Sequence, residues 1–153
     1  MITAEDILRD KAQTPISVSV DTCILEALKV MLEHNIGSIL VTETDMIVGI
    51  WTERDLMRNT VSDGFDPKTA RIGDYMSTRP ITAPHTASLY LLLDKFLGLN
   101  VRHLLIEKEG NYIGLLGYRD VLRVGLTERS RELKELNSMV SWEYYENWKW
   151  KGK

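Results

Sequence analysis

The stretch Gly49-Ile-Trp-Thr-Glu-Arg-Asp-Leu-Met-Arg58 decides the fold, because the chain repeats it as Gly114-Leu-Leu-Gly-Tyr-Arg-Asp-Val-Leu-Arg123. Each copy follows an apolar run typical of a strand and opens an amphipathic stretch typical of a helix. A strand that leads into a helix N-terminus presents backbone N–H groups to an anion. Asp55 and Asp120 also place a carboxylate in the first helical turn, which suits the hydroxyl groups of a ribose better than a phosphate.

The repeat extends well beyond this stretch. With a shift of 65 residues (114 − 49), residues 15–58 align with 80–123 without a gap, and ten of these 44 pairs are identical. Apolar periodicity predicts a strand, a helix, two strands and a closing helix in each copy. Two copies are too few for a solenoid. We therefore expect an α+β fold of two β-α-β-β-α repeats packed about a pseudo-twofold axis, with a C-terminal helical tail.

Local signals place the ends of several elements. A first helix is expected over residues 4–10 and a strand over 16–20, and further strands are expected over 36–41, 46–50, 101–106 and 111–116. Asp21 and Thr86 are predicted to cap the helices that follow them. Asn35 and Asn100 are predicted to end those helices in a left-handed conformation.

Composition shifts divide the chain into four segments. The first repeat is expected over residues 1–61, a polar, turn-rich linker over 62–69, and the second repeat over 70–126. Residues 127–153 form a charged and then aromatic tail that contains Trp142, Tyr144, Tyr145, Trp148 and Trp150. Large aromatic side chains are costly to leave in water, so this tail is expected either to pack on its own module or to contact a partner.

Charge and residue content exclude several function classes. The 153-residue chain has a net charge of −3 and no basic cluster, which argues against a nucleic-acid partner. Its single cysteine, Cys23, fits a reducing compartment, and no apolar run is long enough for a signal core or a membrane span, so a cytoplasmic location is predicted. The histidines and Cys23 lack metal-ligand spacing, and no nucleophile–base arrangement stands out. We therefore predict no metal, no catalytic residue and no enzyme activity.

Several motifs resemble one known family. The doubled β-α-β-β-α unit, the Asp-Thr-x-x-x-Glu-Ala-Leu-x-x-Met pattern at 21–31 and Gly-Ile-x-Thr-Glu-Arg-Asp-Leu at 49–56 resemble a tandem pair of cystathionine β-synthase (CBS) domains, or Bateman module. The resemblance covers about residues 1–126. It implies clefts between the paired domains that bind AMP, ADP or ATP, with NAD or S-adenosylmethionine as further possibilities. It also implies a flat homodimer and an unidentified regulated protein.

The resemblance assigns candidate ligand-binding residues in both repeats. Thr52 and Asp55 match the family positions that hold ribose and phosphate; the second repeat offers Asp120, but Gly117 replaces the expected hydroxyl residue. The remaining candidates are a basic pair for phosphate and lead-in strand residues for adenine, namely Arg102, His103, Thr14, Ile16, Arg79 and Ile81.

Each candidate has a structural alternative. Thr52 and Asp55 also form the sequence of a capping box, whereas Gly117 removes that box while Asp120 remains, which argues for a role beyond capping. The arginines after each motif (Arg54, Arg58, Arg119 and Arg123) could be ordinary charged helix surface or could contact phosphate. At the level of function, a nucleotide sensor that works by a population shift competes with a dimerisation or regulatory subunit that binds no nucleotide.

Overall fold

The computed structural model describes residues 1–11 and 15–139, with side chains described as far as residue 136. Thr14 and the aromatic residues of the tail therefore lie outside the described residues. The elements are α1 (Ala4–Lys11), β1 (Ser17–Ser19), α2 (Ile24–His34), β2 (Ser38–Glu43), β3 (Met46–Thr52), α3 (Glu53–Thr60), α4 (Ile72–Tyr75), β4 (Thr82–Pro84), α5 (Leu89–Leu99), β5 (His103–Lys108), β6 (Asn111–Gly117) and α6 (Tyr118–Met139).

The strands form two three-stranded sheets of identical topology. Their orders are β1-β2-β3 and β4-β5-β6. In each sheet the first two strands are parallel and the last two are antiparallel, since a helix connects the first pair and a tight turn connects the second. The predicted β-α-β-β-α order is confirmed in both repeats, as are the α+β class and the C-terminal helix.

The predicted ends of α2 and α5 are confirmed. Asn35 and Asn100 have left-handed backbones, with φ of 52° and 50°. Asparagine tolerates this region better than most residues, so the chain can reverse from each helix into the next strand. That reversal takes up residues, and the strands consequently begin at Ser38 and His103, two residues later than predicted.

The predicted helix caps at Asp21 and Thr86 are wrong. Both residues lie in turns that close after the first strand of each repeat, where Thr22 N–H donates to the Ser19 carbonyl and Ala87 N–H donates to the Pro84 carbonyl. The helices begin only after these turns, two residues later. The N-caps are therefore the residues at 23 and 88, Cys23 and Ser88.

The hydrophobic core has three parts. One cluster fills the first repeat around the fully buried Trp51, and a second fills the other repeat around Leu92 and Leu116. Between them lies the inter-repeat cluster, made of Leu40, Ile50 and Leu105 with Ile47, Tyr112 and Leu115 at its edge. The two sheets therefore meet mainly through β3 and β6, which carry four of these six residues.

Each repeat is completed by a helix from the other half of the chain. Ala4 and Ile7 of α1 are buried in the core of the second repeat. Ile72 of α4 is buried in the core of the first repeat. We call α1 and α4 the lead-in helices. Because they are exchanged, the two repeats share apolar surface that neither would bury alone.

The two lead-in helices occupy equivalent places in the fold, although the 65-residue shift does not align their sequences. Isolated bridges join Thr3 to Ser88 and Cys23 to Arg71. Ser88 lies 65 residues after Cys23, whereas Arg71 lies 68 residues after Thr3. The connector from helix to strand is thus three residues longer in the first repeat (68 − 65). Helix α4 was not predicted, because a gapless shift of 65 does not bring it onto α1.

The repeated glycines make room for the lead-in helices. A Cβ atom on Gly49 would lie 2.6 Å from Met76 Sδ and 2.8 Å from the Ser77 carbonyl oxygen. A Cβ atom on Gly114 would lie 2.9 Å from a terminal carbon of Leu8. Each glycine therefore lies against the lead-in segment that the other half of the chain contributes.

Gly49→Ala should destabilise the protein by about 1–3 kcal/mol, because the Ser77 backbone cannot move aside without shifting α4. Gly98→Ala is the matched control. Its Cβ would meet no described atom within 4 Å, and alanine is the better helix former, so a gain of up to about 1 kcal/mol is expected. Urea denaturation monitored by circular dichroism measures both changes. Equal midpoints for the two variants would contradict the packing role of Gly49.

Candidate functional site

Four residues at equivalent positions lie at the ends of the two sheets, next to the inter-repeat cluster. Ser38 pairs with Thr52 in the first sheet, and His103 pairs with Gly117 in the second. Side chains along a strand alternate between faces, and each of these residues lies two positions from a member of the inter-repeat cluster. All four positions therefore continue the face on which the repeats meet.

In the first repeat, the predicted capping box is confirmed. The N–H and the hydroxyl of Thr52 donate to Asp55 Oδ2 at 2.9 and 3.1 Å, and Asp55 N–H donates to Thr52 Oγ1 at 3.3 Å. The other carboxylate oxygen, Oδ1, lies 3.8 Å from Arg58 Nη1. The Asp55 side chain is 19% exposed, so α3 starts on a carboxylate that solvent and a ligand can still reach.

In the second repeat, Asp120 also caps its helix. Gly117 N–H donates to Asp120 Oδ2 at 2.9 Å, which preserves half of a capping box without a hydroxyl. The full box is absent, as the sequence predicts, but Asp120 still caps the helix through the Gly117 N–H. Lys11 Nζ donates to the same Oδ2 at 3.0 Å and approaches the Leu115 carbonyl oxygen at 3.4 Å. The end of α1 thus contacts this site directly.

His103 and Arg102 lie beside Asp120. Burial is the main cause that lowers the pKa of His103 to about 4; the charges of Lys11 and Arg102 act in the same direction, and Asp120 partly opposes them. The imidazole is consequently neutral near pH 7. The Arg102 carbonyl accepts a hydrogen bond from Tyr118 N–H at 3.0 Å, which attaches the start of β5 to the start of α6.

The structure brings most predicted site residues into two groups. Ile16 lies at the same sheet end as Thr52 and Asp55, where its carbonyl accepts a hydrogen bond from Leu40 N–H. Ile81 occupies the corresponding place in the second repeat and is 39% exposed. That second group consists of Ile81, Arg102, His103, Gly117 and Asp120. Arg79 is exposed and makes no hydrogen bond or ion pair with the described residues, so the structure does not join it to either group.

The sequence did not point to Lys11. It lies 109 residues from Asp120 along the chain, and its helix precedes the aligned part of the repeat. The exchange of α1 onto the second repeat brings the two residues together. By contrast, the arginines proposed for phosphate contact from the helices after each motif are exposed, as ordinary surface residues would be: Arg54, Arg58, Arg119 and Arg123.

Within residues 1–11 and 15–139, no cluster of histidine, cysteine and carboxylate side chains could hold a metal ion. No helix in that part of the chain is long and apolar enough to cross a membrane. A largely apolar groove runs between α5 and α6, lined by Leu89, Leu93 and Leu126 among others.

Comparison with known proteins identifies the class of protein. The CBS domain family matches residues 4–62 and 72–126, which together cover most of the chain. The chain therefore belongs to the CBS-domain family and carries two CBS domains.

Several similar proteins also carry CBS domains. The mitochondrial CBS domain-containing protein CBSX3 of Arabidopsis thaliana is 26% identical over 151 residues, which cover 93% of this chain and 73% of that protein. A putative signal-transduction protein with CBS domains from Burkholderia ambifaria is 28% identical with a TM-score of 0.73, over 82% of this chain and 95% of that one. The Pyrobaculum aerophilum CBS domain protein PAE2072, solved with AMP, has 23% identity and a TM-score of 0.65, over 78% and 89% of the two chains.

The lowered pKa of His103 predicts a pH-dependent stability. Between pH 6.5 and about 4 the unfolded chain binds a proton at His103 that the folded chain does not, so stability rises with pH across this window. Acidification from pH 6.5 to 4 should cost up to about 3 kcal/mol of unfolding free energy from this residue.

Urea denaturation of the wild type and His103→Gln at several pH values measures this effect. The variant should lose part of the slope between pH 4 and 6.5, whereas His34→Gln, at an exposed position on α2, should retain it. An unchanged slope in His103→Gln would show that other groups control the acid sensitivity.

Proposed function

We propose that this protein is a regulatory module that binds an adenosine-containing ligand between its two CBS domains and is not itself an enzyme. AMP, ADP or ATP is the favoured ligand. NAD and S-adenosylmethionine are further candidates. The ligand favours one arrangement of the repeats or of the C-terminal helix, and the difference in affinity between arrangements sets the size of the response.

This proposal rests on one observation: in Asp55 and in Asp120, only one of the two carboxylate oxygens is used to cap the helix. In both, Oδ2 accepts the hydrogen bonds that cap the helix. In both, Oδ1 accepts no hydrogen bond from the described residues, and each side chain is partly exposed, by 19% and 23%. Capping and recognition of a ribose hydroxyl can therefore use different oxygens of one carboxylate. The first role positions the group for the second.

The fold supports the same proposal more generally. The Pyrobaculum protein was solved with AMP, although at 23% identity this likeness concerns the fold and not the site residues. Helix α6 begins at the Asp120 turn and continues to Met139, so a ligand at this turn contacts one end of an unbroken helix. We infer that α6 carries the response towards the tail and a regulated partner protein.

A dimerisation or regulatory subunit that binds no nucleotide is the second candidate. Leu32 and Leu97 occupy equivalent positions on α2 and α5 and are 80% and 82% exposed, which suits a homodimer built from helices. The carboxylates would then serve only as helix caps. A homodimer is compatible with both candidates, so ligand binding separates them.

Asp55→Ala and Thr52→Ala form a matched pair for this test. Both remove one member of the same capping box, so each should lose about 0.5–2 kcal/mol of stability. Only Asp55→Ala removes the carboxylate, and it should weaken ligand binding at the first-repeat site about ten- to hundredfold, with a smaller effect for Thr52→Ala. Isothermal titration with AMP, ADP, ATP, NAD and S-adenosylmethionine measures both variants against the wild type.

Gly117→Ser is the complementary change in the second repeat. It restores the family hydroxyl, and its Cβ would lie 3.4 Å from Asp120 Oδ2, an ordinary contact, so binding should persist. Equal affinities of wild type and Asp55→Ala would remove the proposed role of that carboxylate. Absence of heat with all five ligands would favour the dimerisation candidate.

A further inference from the structure

The second-repeat site contains the ammonium group of Lys11, whereas backbone takes the equivalent place in the first-repeat site. Lys11 Nζ lies 3.0 Å from Asp120 Oδ2 and 3.4 Å from the Leu115 carbonyl oxygen. Its side chain is 30% exposed, so the ammonium group is held by protein on one side and open to solvent on the other. An ammonium group has three N–H donors, and these two contacts leave one for a ligand.

The position of Lys11 follows from the longer connector of the first repeat. In the first-repeat site, the chain leaves α4 at Met76, and Ser77 exchanges two backbone hydrogen bonds with Ile50. In the second-repeat site, α1 stays helical as far as Lys11. The ammonium group then reaches the carbonyl of Leu115, the residue that corresponds to Ile50. A side-chain cation thus occupies a place where the other repeat has neutral backbone.

The surrounding residues enlarge this difference in charge. The second-repeat site adds Arg102 and a neutral His103 to Lys11 and Asp120, so its net charge is positive. The first repeat has Gly37 and Ser38 at the positions of Arg102 and His103. A Cβ atom on Gly37 would lie 2.9 Å from Glu53 Oε1, so a second carboxylate lies close to Asp55's end of that sheet. Arg58 offsets one of these two carboxylates, so the first-repeat site is net negative and the second-repeat site net positive, on similar backbones.

We propose that Lys11 makes the second-repeat site selective for anionic adenine nucleotides, by contacting a phosphate group while Asp120 Oδ1 accepts a ribose hydroxyl. This inference rests on the proposed function and specifies the class of ligand that the second-repeat site binds. A charge-assisted hydrogen bond from a partly desolvated ammonium group is stronger than a neutral one. The effect is therefore expected in the preference for AMP over adenosine, which differ by the phosphate alone.

The chain offers a matched control for the structural role of Lys11. Lys108 Nζ pairs with Glu5 Oε1 at 2.7 Å. Lys108 lies on β5 and Glu5 on α1, so this ion pair also attaches α1 to the second repeat, but without Lys11 or Asp120. Lys11→Met and Lys108→Met each keep an unbranched apolar stem and remove one charge. Both loosen α1 to a similar extent, but only the first removes a cation from the site.

The experiment is isothermal titration of the full chain with AMP and with adenosine, in the Asp55→Ala background that weakens the first-repeat site. Lys11→Met should weaken AMP binding about tenfold and change adenosine binding by less than about twofold. Lys11→Arg should restore the preference for AMP, since guanidinium also binds phosphate. Lys108→Met should leave both affinities unchanged.

Three outcomes would overturn the inference. Equal losses of AMP and adenosine affinity in Lys11→Met would make Lys11 a structural residue, and equal losses in Lys11→Met and Lys108→Met would assign the effect to loosening of α1. Both results leave the proposed function intact, because the wild type still binds. A wild-type protein that binds neither AMP nor adenosine would instead overturn the proposed function and this inference together.

Discussion

The contact between each lead-in helix and the other repeat is the constraint on which the rest of the structure depends. A glycine lies under each helix because any Cβ atom there would meet Met76 or Leu8 at less than 3.0 Å. Close approach of backbone to side chain lets α1 and α4 complete cores that short three-stranded sheets could not close alone. Because of the exchange, each repeat takes part of its core from the other half of the chain.

The repeated motif combines close packing with helix capping. The strand that carries the glycine continues to the helix start, where Asp55 or Asp120 caps the first turn through Oδ2. Packing of the glycine positions the strand, and the cap positions the carboxylate. In the proposed function, Oδ1 of each carboxylate binds the ligand, and a group that is already held in place loses less entropy on binding.

The same exchange makes the two sites unequal. A difference of three residues between the connectors lets α1 remain helical to Lys11, whereas the chain after α4 turns to pair with Ile50. The two sites therefore differ in charge although their backbones are similar: the second-repeat site holds Lys11 and a neutral His103, and the first-repeat site holds the additional carboxylate of Glu53. Sequence divergence between repeats is most informative where it changes charge, since apolar replacements such as Ile50 and Leu115 preserve the packing.

The sequence by itself determined the repeat, the β-α-β-β-α order, the left-handed Asn35 and Asn100, and the two motif carboxylates, because these depend on residues close together in the chain. Only the tertiary structure decided which helix completes which repeat, and hence that Lys11 reaches Asp120 across 109 residues. It also decided that Gly117 keeps half of a cap, since a backbone N–H replaces the hydroxyl. Local periodicity determines the elements, but long-range packing determines which charges meet.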